Sequence, residues 1–234
     1  MQNLLIMARK KKLNILNTNF PFIFPKYQTF SQEIDTFNTL SNFSISDIIK
    51  ISNEYFSNWS SIIESIIFLA NKLDDSIQIV IRPHPFEDEQ VYVKVFKDFK
   101  NVFIIKEGSV IPWIYHSMLL IHRDCSTAIE ASFMNINAIS IEYPQTSSKF
   151  RQEVPREVSL KANSLDELYK LIEFSINEKN KKKNLDLNQW VISNWYRAID
   201  GSSSIIISEI IIDKIVQNRT NFLKIFNSIF VSNK

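Results

Sequence analysis

Apolar residues recur at helical spacing between positions 46 and 73, through Ile48, Ile51, Tyr55, Trp59, Ile62, Ile66 and Leu69, and predict one long helix with Ser46 or Asp47 as its N-cap. Ahead of it, a short strand over 13–18 runs into a segment where Pro21 and Pro25 stop regular structure, and a loop then leads to helices. Downstream the period changes. Strands over 77–81, 102–105, 118–122 and 138–141 alternate with helices over 87–99, 111–116 and 127–134. Short apolar strands separated by helices predict an α/β fold: a Rossmann-like parallel sheet with helices on both faces. After Pro144 a polar loop leads to a helix over 164–176, a solvated run from Glu178 to Lys183, a segment over 187–199 and a last helical stretch from Ser202. No internal repeat or long linker divides the chain, so a single domain over 1–234 is expected.

Two of these apolar strands end in polar residues: Ile79-Val-Ile-Arg-Pro-His-Pro85 and Leu119-Leu-Ile-His-Arg-Asp-Cys-Ser-Thr-Ala-Ile-Glu-Ala131. In a parallel sheet, the carboxyl ends of strands and the helix N-termini beyond them are where anions sit, because free backbone N–H groups and the helix dipole favour negative charge. The pattern therefore points to a phosphate or nucleotide binder. Arg82 and His84 are two residues apart in extended chain, about 6.6 Å between Cα atoms, so one phosphate can touch both. An Arg-His pair in a surface turn explains the same pattern. Thr127 and Glu130 have the spacing of a capping box, and capping alone accounts for both. Ser126, Thr127 and the first helix amides also suit a phosphate, and Glu130 suits ribose hydroxyls. His122 fits a satisfied strand-end histidine, an acid or a phosphate donor.

Composition narrows the classes. The 27 basic and 25 acidic residues of the 234-residue chain give a net charge of +2, which lacks the basic footprint of a nucleic-acid binder. Only two glycines occur, Gly108 and Gly201, so neither a G-x-G-x-x-G loop nor a Walker A loop exists here. Abundant Ile, Asn, Lys, Ser and Phe read as a compositional bias, which takes weight from isolated Asn and Lys residues. The single cysteine, Cys125, allows no internal disulfide and reads as a packing residue in a reducing compartment. The amino terminus has an apolar stretch followed by the basic cluster Arg9 to Lys12, the reverse of a signal peptide. The tract from Ser204 to Asp213 is interrupted by Glu209 and falls short of the roughly 20 apolar residues of a membrane span. A cytoplasmic protein with at most peripheral membrane contact is expected. Glu87-Asp-Glu89 has the acid-x-acid form that can hold a nucleotide-bound metal, but acids are expected at a helix N-terminus from the dipole alone. The three histidines show no metal-ligand spacing, so no protein-bound zinc site is expected; no cofactor is expected either, with metal dependence left open.

Five segments in order, Ile15-Leu-Asn-Thr-Asn-Phe20, Ile81-Arg-Pro-His-Pro85, Glu107-Gly-Ser-Val-Ile-Pro-Trp113, Cys125-Ser-Thr-Ala-Ile-Glu-Ala131 and Asp200-Gly-Ser-Ser203, resemble the bacterial surface carbohydrate biosynthesis family. That family is similar to GT-B glycosyltransferases, including capsule and lipopolysaccharide Kdo transferases, and the match covers what would be its carboxyl-terminal half. The resemblance implies the donor-binding half of a glycosyltransferase, with a nucleotide sugar, such as CMP-Kdo, as donor and a saccharide as acceptor. It places Asn19, Arg82, His84, Glu107, His122, Ser126, Thr127 and Glu130 at the nucleotide sugar: Arg82 and His84 by the donor phosphate, Glu107 near the base or sugar, Ser126 and Thr127 on the phosphate, Glu130 on the ribose. It identifies no catalytic base. A noncatalytic subunit that needs a partner chain for the amino-terminal half is the second reading. An epimerase-like enzyme, which would need an acid pair, is the third.

Overall fold

The computed structural model describes residues 13–74, 76–145, 151–176 and 200–230. The basic cluster at Arg9 to Lys12, the run from Glu178 to Lys183 and the segment over 187–199 lie outside them. Two compact units are present, Met1–Asn188 and Gln189–Lys234.

The first unit holds a six-stranded sheet with all neighbours parallel, in the order β3-β2-β1-β4-β5-β6. Its strands are β1 (Leu13–Asn17), β2 (Gln78–Arg82), β3 (Val102–Ile104), β4 (Ser117–His122), β5 (Asn137–Ile141) and β6 (Leu160–Ala162). Its helices are α1 (Phe30–Leu40), α2 (Ile45–Lys72), α3 (Gln90–Phe96), α4 (Ile111–His116), α5 (Thr127–Phe133), α6 (Glu153–Glu157) and α7 (Leu165–Ile176). Strand order reverses beside β1, and in open α/β sheets of this kind that switch point marks the ligand crevice. The expected Rossmann-like parallel sheet is therefore present.

Register explains the two-faced core. Leu16, Ile81 and Ile121 are aligned and share one face, where they join Ile62, Ile66 and Leu69 of α2 and Leu168 and Ile172 of α7 in one buried cluster. Ile15, Val80 and Leu120 take the opposite face, and they too are buried. There α4 and α5 pack on β4. Burial on both faces is why these strands read as continuous apolar runs.

Four boundaries differ from expectation. The long helix begins one residue earlier and is capped by Ser44: its hydroxyl accepts the Asp47 N–H, and the Asp47 carboxylate accepts the Ser44 N–H, each at 3.2 Å. The helix expected from Glu87 starts at Gln90, because Glu87 is buried and bridges to Pro25. The capping box expected at Thr127 does not form. Ser126 holds the N-cap position without a side-chain cap bond, and the Thr127 hydroxyl is engaged elsewhere. The polar loop after Pro144 contains α6 and the sixth strand, β6.

The second unit contributes α8 (Ser203–Phe230). Asp200 Oδ1 accepts the Ser202 N–H at 2.9 Å and the Ser202 hydroxyl at 2.6 Å just ahead of it. No helix among the described residues is long and apolar enough to cross a membrane.

Candidate functional site

A polar row crosses the sheet at its carboxyl end. Arg82, Asn17, His122 and Ser140 stand at aligned positions of β2, β1, β4 and β5, each on the face that carries α4 and α5. These side chains tie down the segments around the strand exits. Arg82 donates to the carbonyls of Glu107 and Gly108, both at 2.8 Å, and its guanidinium lies 5.6 Å from the centre of the Trp113 ring. Asn17 Nδ2 donates to Thr127 Oγ1 at 2.6 Å, and Thr127 donates in turn to Cys125 Sγ at 3.0 Å. Ser140 donates to Glu142 at 2.7 Å.

Beside this row lies a cleft of about 260 Å³. Asn17 and Thr18 reach it from the end of β1, Arg82 to Pro85 from β2, Lys106 and Gly108 to Val110 from the segment after β3, and Cys125 and Thr127 from the start of α5. Its described lining holds two cations, Arg82 and Lys106, with His84 and the hydroxyls of Thr18, Ser109 and Thr127, and contains no carboxylate. Lys106 is held by a 2.9 Å ion pair to Glu89 and by the Glu87 carbonyl. The same pair, with Lys26, draws the Glu89 pKa down to about 2. His84 Nδ1 accepts the Phe86 N–H at 3.2 Å, so the neutral ring carries its proton on Nε2. Burial, reinforced by the Lys106 charge, holds the His84 pKa below its ordinary value. Gly108 adopts a φ of 73°, the left-handed region glycine enters without strain, in the turn whose carbonyls Arg82 grips.

The expected residues fall into distinct places. Arg82, His84 and Thr127 line this cleft. Asn19 lines a second, smaller one of about 40 Å³ with Tyr55, Arg123 and Arg151. Glu107 is exposed and enters the geometry through its backbone carbonyl, while Ser126 is exposed at the head of α5. Glu130 is half-buried on α5, where burial raises its pKa, and its Oε2 has no partner among the described residues. None of these three lines the cleft. His122 does not face it either: the ring is fully buried, Nε2 pairs with Ser159 Oγ at 2.8 Å, and Nδ1 accepts the Cys125 N–H at 3.3 Å. Both ring nitrogens are thus bonded within the fold, the arrangement of a satisfied strand-end histidine.

No protein-family model matches the chain, and no curated protein is similar to it in sequence. Among solved structures, it is similar to MnaA of S. aureus in complex with UDP, at 12% identity and a TM-score of 0.45 over 78% of this chain and 41% of that one. It is similar to the UDP-GlcNAc 2-epimerase of Methanocaldococcus jannaschii, at 13% identity and a TM-score of 0.45 over 82% and 48% of the two chains. Similarity to the wall teichoic acid polymerase TagF with CDPG has 11% identity and a TM-score of 0.46, over 93% and 45%. The chain spans less than half the length of each of these three proteins.

Sequence reasoning missed Asn17, Thr18, Lys106 and Ser109. Asn17 and Lys106 belong to the residue types discounted for compositional bias; their place at the ends of strands is the signal that distinguishes them. A second group also went unread. Glu142 pairs with Arg151 at 2.9 Å and Arg156 at 3.0 Å, and Arg151 pairs with Asp124 at 2.8 Å. This cluster holds Asp124 in a left-handed turn, φ 55°, immediately after β4.

Proposed function

We propose that the chain is the donor-nucleotide-binding half of a glycosyltransferase for bacterial surface polysaccharide, and that the cleft beside β1 receives the phosphates of the activated sugar. The observation that carries this reading is the lining: two cations, a histidine with an Nε2–H to donate, three hydroxyls and no carboxylate, at the strand ends beside the switch point of the sheet. Such a set favours an anion in the ground state. It also stabilises the charge that grows on a phosphate as it leaves a sugar. In this reading Lys106 and His84 contact the phosphates, Ser109 supplies a hydroxyl donor, Thr127 borders the site with its hydroxyl tied to Asn17 and Cys125, and Arg82 shapes the 107–108 turn. The five-segment resemblance supports the same class of ligand. The acceptor saccharide and the group that activates it belong to the opposite wall of such an enzyme, supplied by a partner half, and the whole would work in the cytoplasm at the inner face of the membrane.

The test is thermal stabilisation of the full chain by CMP, CDP, UDP and GDP. A nucleotide at 100 times its dissociation constant adds about 2.7 kcal/mol to stability. We expect one or more of the four to raise Tm, and His84→Ala and Lys106→Ala each to weaken that shift. No shift with any of the four, or a shift that both variants leave intact, would overturn the reading. A shift with CMP alone would select a CMP-activated sugar such as CMP-Kdo.

A further inference from the structure

Glu87 lies outside the cleft lining, yet it bonds to cleft residues from three separate strand exits. Its side chain is fully buried. Oε2 accepts the Thr18 hydroxyl at 2.8 Å and the His84 N–H at 3.1 Å, and Oε1 accepts the Tyr92 hydroxyl. Its carbonyl accepts Lys106 Nζ, and its N–H donates to the His84 carbonyl at 2.9 Å. Thr18 lies just past β1, His84 past β2 and Lys106 past β3, and all three line the cleft. The outer side of the same turn is tied down as well: Lys26 N–H donates to the Phe86 carbonyl at 2.9 Å, and Asp88 N–H to the Phe24 carbonyl at 2.8 Å.

We infer that Glu87 is the positioning residue of the cleft, a buried acceptor that fixes Thr18, His84 and Lys106 relative to one another; its effect on ligand rests on the nucleotide reading above, its effect on His84 on bonding geometry alone. The chemistry of the carboxyl group fits this role. Both oxygens face donors, so the group acts as an acceptor throughout. Burial works against its ionisation, raising its pKa, while the bonds from Tyr92, Thr18 and the His84 N–H favour the charged form. The acid-x-acid form of Glu87-Asp-Glu89 thereby acquires a different meaning from metal binding. Glu87 turns inward to the strand exits, and Glu89 pairs with Lys26 and Lys106.

Substitutions of Glu87 and of its partners, with two readouts, test this on the full chain. The first readout needs no ligand: the midpoint of the His84 ring titration, followed by NMR. Glu87→Ala releases the turn that shields the ring and sets its Nδ1 bond to Phe86, so the midpoint rises toward that of a solvated histidine. Glu87→Gln restores it, because the amide oxygen still accepts from Thr18 and His84 while the amide N–H can donate to the Tyr92 hydroxyl. The second readout is the dissociation constant of whichever of CMP, CDP, UDP or GDP stabilises the protein. Glu87→Ala weakens it about tenfold, the effect of losing one or two hydrogen bonds, and the loss is smaller in a His84→Ala background, since the two changes act through one contact. Should Glu87→Ala not fold, Thr18→Val removes one donor from the same carboxylate and shifts the His84 midpoint in the same direction. An unchanged midpoint in Glu87→Ala, or in Thr18→Val where it takes its place, overturns the positioning role whether or not any nucleotide binds. Additive losses in the Glu87 and His84 variants overturn its effect on ligand. Absence of binding by the unmodified chain overturns the nucleotide reading and leaves the titration to decide the geometry.

Discussion

Asn17 and Thr127 lie 110 positions apart and meet through a 2.6 Å hydrogen bond that ties the end of β1 to the first turn of α5. Asn17 is nearly fully buried, so its amide has no water to fall back on when the partner is removed. Thr127→Val, which keeps the volume and removes the hydroxyl, is expected to destabilise the protein by about 1–3 kcal/mol. Thr127→Ser keeps the acceptor and should recover most of that loss. Urea denaturation of the three proteins decides the point; equal midpoints would mean the bond does not hold β1 to α5.

Arg82 makes the corresponding argument for the other wall. Its two guanidinium bonds to the Glu107 and Gly108 carbonyls demand a planar fork, and its stacking on Trp113 demands a delocalised cation. Arg82→Lys retains the charge and loses the geometry. Amide hydrogen exchange at residues 107–110 should quicken about tenfold or more, corresponding to about 1.4 kcal/mol of lost local stability. Exchange elsewhere in the sheet should change less. Uniform exchange across the first unit would contradict this, since the loss would then be global.

The legibility of each part in the sequence depends on the physical signal it carries. Strands β1, β2, β4 and β5 stand out because both faces are buried, β3 because it is a short apolar run, and Arg82, His84 and Thr127 because polar residues interrupt apolar runs. The helix start at Glu87 is misleading because a buried carboxylate that accepts from Thr18 and Tyr92 looks, in one dimension, like an acid in a first helical turn. The Thr127 capping box fails for a related reason. The spacing to Glu130 is right, but a residue 110 positions away takes the hydroxyl. Strand β6, three residues long with one exposed lysine at its centre, has no period to detect. His122 reads equally as ligand or fastener in the sequence, because its partner Ser159, 2.8 Å away, is brought beside it only by the fold.

The Glu142 cluster supports a stability prediction away from the cleft. Glu142 and Arg151 are both largely buried, and Glu142 accepts from Arg156 as well. Burial opposes ionisation of Glu142, but bonds from Arg156 and Ser140 and the Arg151 charge win, holding its pKa below the ordinary carboxylate range. Glu142→Ala leaves Arg151 with only Asp124 as an anionic partner among the described residues, and breaking a buried pair in this way costs about 3–5 kcal/mol. A thermal melt of the variant close to that of the parent chain would count against the cluster as the clamp on the β4 exit. Replacing Arg156, which is about one-third exposed, should cost less.

His122 yields the prediction with the most defined pH window. Burial pushes its pKa down from 6.5 to about 3, the Arg151 charge adding to the shift and Glu142 opposing it, so the folded ring stays neutral where the unfolded one takes up a proton. Between these two values the unfolded state binds more protons than the folded state, and stability therefore falls as pH falls. The stabilisation is fully present above the unfolded pKa near 6.5 and is lost progressively as pH drops toward about 3. The slope from a single such group approaches about 1.4 kcal/mol per pH unit in the middle of the window. His84, also shifted downward, adds in the same sense, and Glu142 contributes only toward the acid end. His122→Gln keeps a polar group beside Ser159 but cannot titrate. Its stability measured by urea denaturation at pH 7, 6, 5 and 4 should therefore decline less steeply than that of the parent chain, even where it starts lower. Parallel curves for the two proteins would show that His122 does not remain neutral in the fold, and would return it to the set of residues free to exchange a proton with a ligand.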